Sequence, residues 1–258
     1  MSSLQGQTAL VTGGGTGIGR AIAQDFAGAG AKVIVSGRRA GPLEETVKLI
    51  TDAGGSASYV ICDMTDPDAI EAFAAALLAE HGIIDILINN AGFSSKIRSA
   101  RYIGAEEWRD VMDVNTMGPV VLTRCLMPAM VEKGQGDVVM IASMAGVNPS
   151  VMAGAAYSAA KTAARVYMNV LAQEMRPFGI RAITVNPGEV DTPILDNRAL
   201  PPDEATRARM MMPEDISAAV MMAVGLPRRA MVSEVSLTAT DPRDMSADTA
   251  AAKNKQKA

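Results

Sequence analysis

Short apolar runs alternate with longer helical patterns along almost the whole chain, and no other feature limits its fold as tightly. The runs are TALV (8–11), KVIVS (32–36), ASYVI (57–61), DILIN (85–89), DVVMIAS (137–143), IRAITVN (180–186) and EVSL (234–237). Between them, helical patterns cover 18–29, 42–53, 67–80, 106–132, 157–177 and 214–224. Pro42, Pro67 and Pro213 open three of these helices, where a missing N–H breaks no intrahelical bond, and neighbouring acids suit the positive helix end. Most of the strands are continuously apolar rather than alternating, so helices are expected on both faces. The fold class expected is α/β: a Rossmann-like doubly wound parallel sheet of about seven strands in a single domain over 1–243. The end of the chain, 244–258, is polar, Lys-rich and without apolar periodicity, and is expected to be disordered. The Pro- and Met-rich segment 189–213 is expected to be a long irregular loop and a candidate substrate lid.

A chain of 258 residues with 48% hydrophobic and 20% charged side chains is suited to one packed domain. Its net charge of -4 and scattered Lys and Arg leave no basic face for a nucleic-acid partner. Cys62 and Cys125 stand far apart among apolar residues and read as reduced core thiols, and His81 is the only histidine. That excludes a Ser-His-Asp triad and any metal site built on His or Cys. With no charged-then-apolar leader and no apolar run of membrane length, a cytoplasmic protein with no membrane partner is expected.

The first strand runs into TGGGTGIG (12–19) and then a helix. Gly13 permits the sharp turn, Gly17 removes a Cβ where backbone would approach a pyrophosphate, and Gly19 lets the helix pack close to the sheet. Free N–H groups at the helix start then face the anion. The second strand ends Ser36-Gly37-Arg38-Arg39, without the acid that holds the ribose 2′-hydroxyl of NAD. Arg38 is placed to bond a 2′-phosphate, so NADP(H) is expected as cofactor and NAD(H) is the alternative. Solvated loop arginines would look the same.

Tyr157 and Lys161 lie four apart at the start of a strongly helical stretch and share a helix face. An ammonium one turn from a phenol stabilises the phenolate, as acid/base work near neutrality requires. A core ring beside a surface amine has the same spacing. Ser143 ends an apolar strand, where open α/β sheets present reactive groups, although helix caps also stand there. Asn115, inside a helical pattern, is an amide in need of a hydrogen bond.

Taken in order and spacing, TGGGTGIG, INNAG (88–92), Asn115, Ser143, Tyr157 with Lys161, and NPG (186–188) with Thr192 resemble the short-chain dehydrogenase/reductase family over roughly residues 6–240. The resemblance implies a catalytic tetrad of Asn115, Ser143, Tyr157 and Lys161, with the last two also touching the cofactor. It implies cofactor contacts at Gly13, Gly15, Thr16, Gly17, Ile18, Gly19 and Arg38, then Asp63 and Met64 at the adenine end, and Asn90, Ala91 and Gly92 alongside. Pro187, Gly188, Val190 and Thr192 are implied at the nicotinamide, and Glu189 near the substrate. The implied activity is NADP(H)-dependent hydride transfer to or from a small carbonyl or alcohol substrate, in a homotetramer or homodimer. A non-catalytic cofactor-binding scaffold on the same fold is the competing class. A sugar-nucleotide epimerase would need a larger substrate domain after Thr192.

Overall fold

A computed structural model describes residues 3–254. The apolar runs form β1 (Thr8–Thr12), β2 (Lys32–Gly37), β3 (Ser56–Ile61), β4 (Ile86–Asn89), β5 (Gly136–Ile141), β6 (Ile180–Pro187) and β7 (Glu234–Leu237). All pair in parallel in one sheet of order β3-β2-β1-β4-β5-β6-β7. The helices are α1 (Gly17–Gly28), α2 (Ala40–Asp52), α3 (Pro67–His81), α4 (Ala105–Met112), α5 (Gly118–Lys133), α6 (Ala155–Met175), α7 (Glu204–Arg207), α8 (Pro213–Val224) and α9 (Ser246–Lys253).

One apolar cluster joins Ile22 and Phe26 of α1 to Ile216 and Val220 of α8, and the other joins Phe73 of α3, Leu122 and Leu126 of α5 and Met168 of α6. Every residue of β4, β5 and β6 is buried, as continuous apolar strands between two helical layers must be. The chain steps outward from β1 to β3 and returns beside β1 as β4. The order therefore reverses between β1 and β4, and the crevice beyond their carboxyl ends is where such sheets bind ligands.

Local chemistry sets the helix ends. Asp66 caps α3 by accepting from the N–H groups of Asp68 and Ala69 at 3.0 and 3.2 Å, and Pro67 follows it. α2 begins at Ala40, two residues before Pro42, so that proline sits within the first turn rather than opening it.

Three expectations fail. The single helix expected over 106–132 is α4 and α5 joined by a π-helical turn, Asp113–Met117, because a wider turn leaves the apolar pattern on either side intact. The expected disordered tail is helical over α9, while 255–258 lie outside the described residues. Asp248 and Ala252, one turn apart, are buried, and Arg243 grips Asp248 with bonds of 2.7 and 3.0 Å. An ion pair and small side chains hold this helix down, so there was no apolar stripe to read. Segment 189–213 is not structureless either: it holds α7, a 3-10 turn at Pro193–Asn197 and a bridge from Val190 to Met211. No described helix is long and apolar enough to cross a membrane.

Candidate active site

The glycine turn after β1 is built against the end of β4. Gly13 adopts φ +64°, a left-handed conformation that disfavours any side chain. Asn90 Nδ2 donates to the Thr12 and Gly13 carbonyls at 2.9 and 3.2 Å, while the N–H groups of Asn90 and Ala91 both donate to Thr12 Oγ1 at 3.0 Å. Thr12 is thus the hub joining both sides of the crevice, a role that sequence reasoning missed despite its place at the strand end. Arg20, equally unremarked, holds the Gly15 carbonyl through Nε and a terminal nitrogen at 3.1 and 2.6 Å.

A Cβ on Gly17 would come within 3.0 Å of Thr192 Cγ2, so the loop after β6 closes directly over the glycine turn. Gly17 therefore faces Thr192, a closer constraint than the ligand approach expected of it. Gly188 is anchored by its N–H to the Leu237 carbonyl at 2.8 Å, and Val190 is buried. Arg38 is exposed at the end of β2. Asp63 accepts from Thr65 N and Oγ1 at 3.0 and 2.9 Å, and Met64 is buried next to it.

At the other end of the crevice the four polar residues converge. Ser143 is two residues past β5 in extended conformation, its hydroxyl capping a short 3-10 turn through Ala145 N at 3.1 Å and near enough to the Tyr157 phenol to lower its pKa. Lys161, one turn along α6, is 4% exposed; its Nζ lies 5.7 Å from the Tyr157 ring centroid and donates to the Ile141 carbonyl at 2.9 Å. The π turn carries Asn115, fully buried, whose Nδ2 donates to Phe93 O and Val111 O at 2.8 Å. Among the described residues nothing donates to Asn115 Oδ1. A Cβ on Gly92 would stand 2.6 Å from that oxygen and 3.3 Å from Lys161 Nζ, so only glycine keeps the gap between amide and amine open.

Burial dominates the titration of this cluster. It raises the Tyr157 pKa above 10, against which the Ser143 hydrogen bond and then the charges of Arg98 and Arg198 act to lower it. The sequence pointed to Lys161 as the cation beside the phenol; the cations that lower its pKa here are these two arginines. Burial also lowers the Lys161 pKa from 10.5 to about 8. Between those values the unfolded chain binds a proton that the folded protein does not, so stability rises with pH there and the full penalty applies below pH 8. That penalty is about 3 kcal/mol, and abandoning the Ile141 carbonyl costs about 1–2 kcal/mol. Lys161→Met is therefore expected to raise stability at pH 7 by about 1–2 kcal/mol, with the gain fading towards pH 10. Calorimetry at both pH values checks this, and a lower melting temperature at pH 7 would contradict it.

The loop after β6 sorts its charges. Arg207 pairs with Asp191 and Asp196, and Arg209 with the exposed Asp241. Arg198 instead turns inward to Glu189 at 2.5 Å, and Arg243 bonds both Glu189 oxygens at 2.8 and 2.9 Å while holding Asp248. These partners keep the Glu189 and Asp248 carboxyls below their ordinary range, though burial opposes this at both. No cluster of three or more His, Cys, Asp or Glu that could hold a metal ion occurs among the described residues.

A doubly wound sheet whose switch-point crevice carries a glycine turn at one end and a Ser, Tyr and Lys cluster at the other defines a class of nucleotide-binding oxidoreductase folds. Residues 7–202 match the family model described as short chain dehydrogenase, and the chain belongs to the short-chain dehydrogenase/reductase family. It is similar to a short chain dehydrogenase of Pseudocercospora fijiensis, at 36% identity over 73% of this chain and 61% of that protein, so it spans less than two thirds of that relative. An uncharacterized oxidoreductase of Staphylococcus aureus is 31% identical over 92% of this chain and 99% of its own length. Among solved structures, a metagenomic short-chain oxidoreductase in complex with NADP superposes with a TM-score of 0.81 at 34% identity, covering 93% of this chain and 100% of that one.

Proposed function

We propose that this oxidoreductase transfers a hydride between NADP(H) and a small aldehyde, ketone or hydroxy acid, with Tyr157 as acid/base. The observation that carries the reading is the convergence of the Ser143 hydroxyl, the Tyr157 phenol and the Lys161 amine beside the gap that Gly92 keeps open. The cofactor's nicotinamide supplies or accepts the hydride when bound. Ser143 and Tyr157 hold the substrate oxygen, and Tyr157 gives it a proton in reduction. Lys161 Nζ holds the nicotinamide ribose, and Asn115 Oδ1, with a water, recharges the phenol through Lys161. Gly13 to Gly19, Asp63, Met64, Asn90 to Gly92, Pro187, Gly188, Val190 and Thr192 form the cofactor cradle. Its fit is supported by the Gly13 turn and the approach of Thr192.

Preference for NADP(H) over NAD(H) is supported by exposed Arg38, by the absence of an acid at the end of β2, and by the NADP complex of the metagenomic relative. Arg38→Ala is expected to reduce the NADPH over NADH preference about ten- to a hundredfold, the worth of charge-assisted bonds to a 2′-phosphate. The deciding experiment is oxidation of NADPH and of NADH against a panel of aldehydes, ketones and oxo acids. Tight NADPH binding with no oxidation by any of them would identify a non-catalytic cofactor-binding protein instead. We also propose a homotetramer or homodimer, supported by exposed Val166 and Val170 on the outer side of α6. Sedimentation at monomer mass would contradict it.

A further inference from the structure

The four polar residues of the site stand on three separate segments: Asn115 on the π turn, Ser143 ahead of the 3-10 turn Met144–Gly146, and Tyr157 with Lys161 on α6. Their spacing therefore depends on how these segments touch. Two contacts bear on the peptide groups on either side of the Lys161 Cα. Before it, Thr116, the residue after Asn115 and 8% exposed, donates its hydroxyl to the Ala160 carbonyl at 2.9 Å. After it, buried Gly146 lies so close that a Cβ there would come within 2.7 Å of the Lys161 carbonyl carbon and oxygen and 3.0 Å of Thr162 N. The Thr162 hydroxyl in turn donates to the Gly146 carbonyl at 3.3 Å. Gly146 is not left-handed, so its backbone conformation does not call for glycine, whereas the close approach does.

Each contact is tied to one polar residue of the site. The Ser143 carbonyl accepts from Gly146 N at 2.9 Å and its hydroxyl from Ala145 N at 3.1 Å, so Ser143 and Gly146 move as one turn. Asn115 is held by Phe93 O and Val111 O, and the next residue bolts its turn to α6. Lys161 Nζ is pinned to the Ile141 carbonyl. Loosening either contact therefore shifts Ser143 or Asn115 against an amine that stays in place. Neither residue has a group to spare for a substrate, since the Thr116 hydroxyl is engaged by Ala160 and Gly146 has no side chain.

We infer that Thr116 and Gly146 are positioning residues, clamping the Lys161 turn of α6 to the segments that carry Asn115 and Ser143 and so setting the distances within the site. The inference rests on the proposed roles of those three residues. A misplacement of about 1 Å at a reacting group costs about a hundredfold in rate. Relieving a 2.7 Å contact to an ordinary carbon separation of about 3.5 Å takes most of that displacement. Gly146→Ala is therefore expected to lower kcat about ten- to a hundredfold by moving Ser143 away from the phenol. Thr116→Val keeps the shape and removes one neutral hydrogen bond, so a loss of about two- to tenfold is expected. That loss falls on the Asn115 end, where the phenol is recharged.

The test measures carbonyl reduction by the wild-type protein, Thr116→Val, Thr116→Ser and Gly146→Ala, in water and in deuterium oxide, with NADPH and with NADPH deuterated at both C4 positions. NADPH affinity by fluorescence and cooperative melting are followed alongside. Thr116→Val is expected to lower kcat and raise the solvent isotope effect while KM and NADPH affinity stay within about twofold, and Thr116→Ser to restore both readouts. Gly146→Ala is expected to lower kcat and raise the isotope effect of the deuterated cofactor. Either folded variant keeping kcat within about twofold of an active wild type overturns the clamp. So does a Thr116→Val loss that Ser does not recover, or one confined to KM or NADPH affinity, which would mark packing alone. Should Gly146→Ala fail to fold, the Thr116 pair decides. A wild-type protein that reduces no carbonyl sinks the proposed function and the clamp with it, whereas an active wild type with indifferent variants sinks the clamp alone.

Discussion

Tyr157→Phe is expected to lower kcat for carbonyl reduction about 10²- to 10⁴-fold while leaving NADPH affinity nearly unchanged. The substitution keeps the ring and removes only the phenol oxygen beside Ser143, so the framework loses about 1 kcal/mol at most. Because burial holds the phenol above its ordinary pKa of 10, the free protein carries it protonated at neutral pH, ready to act as an acid. Reduction should then be flat across neutral pH and fall only at high pH, whereas alcohol oxidation, which needs the phenolate as base, should rise with pH. Steady-state rates in both directions from pH 6 to 10, with NADPH binding followed by fluorescence, test the pair of expectations. A Phe variant within tenfold of wild type would remove Tyr157 from the proton transfer.

The sheet was legible because its five inner strands, β1, β2, β4, β5 and β6, are largely buried between the helical layers, and a segment with that constraint must be apolar at nearly every position. The glycine turn was legible for a similar reason: Gly13 and Gly19 stand where backbone geometry or a neighbouring backbone atom leaves no room for a side chain. The π turn at Asn115 was not, since one extra residue in a helical turn changes neither composition nor the apolar faces around it. Nor was α9, whose docking depends on Arg243 reaching both Glu189 and Asp248, partners 54 and five residues away. Arg98 showed the same limit. Nothing in KIRSARY marks one arginine as buried against the turn before Tyr157 and another as a surface charge, because that choice is made by the Ala153 carbonyl 55 residues on. Spacing revealed the groups that share an element, while the groups brought together by the tertiary fold had to be seen.

Two glycines of α1 should respond oppositely to the same added methyl. A Cβ at Gly19 would lie 2.4 Å from the Gly13 carbonyl oxygen and 2.5 Å from Asn90 Nδ2. Both belong to the bonded set that shapes the glycine turn, and a backbone oxygen cannot swing aside as a long side chain would. Gly19→Ala must therefore push α1 away from β1 or break the Asn90 bonds, at about 1–3 kcal/mol or more. Because that strain falls on the turn proposed to face the cofactor phosphates, NADPH affinity is expected to drop about ten- to a hundredfold, together with a lower melting temperature. Gly28, exposed at the other end of the same helix, has nothing within 4 Å of where its Cβ would be. Gly28→Ala is expected to add about 0.5–1 kcal/mol through helix propensity and leave NADPH affinity alone. Fluorescence titration and thermal melting of the two variants separate close packing from mere flexibility as the reason for glycine at the start of α1. Were Gly19→Ala to bind NADPH as tightly as Gly28→Ala, the close contact between helix and turn would not be what shapes the phosphate cradle.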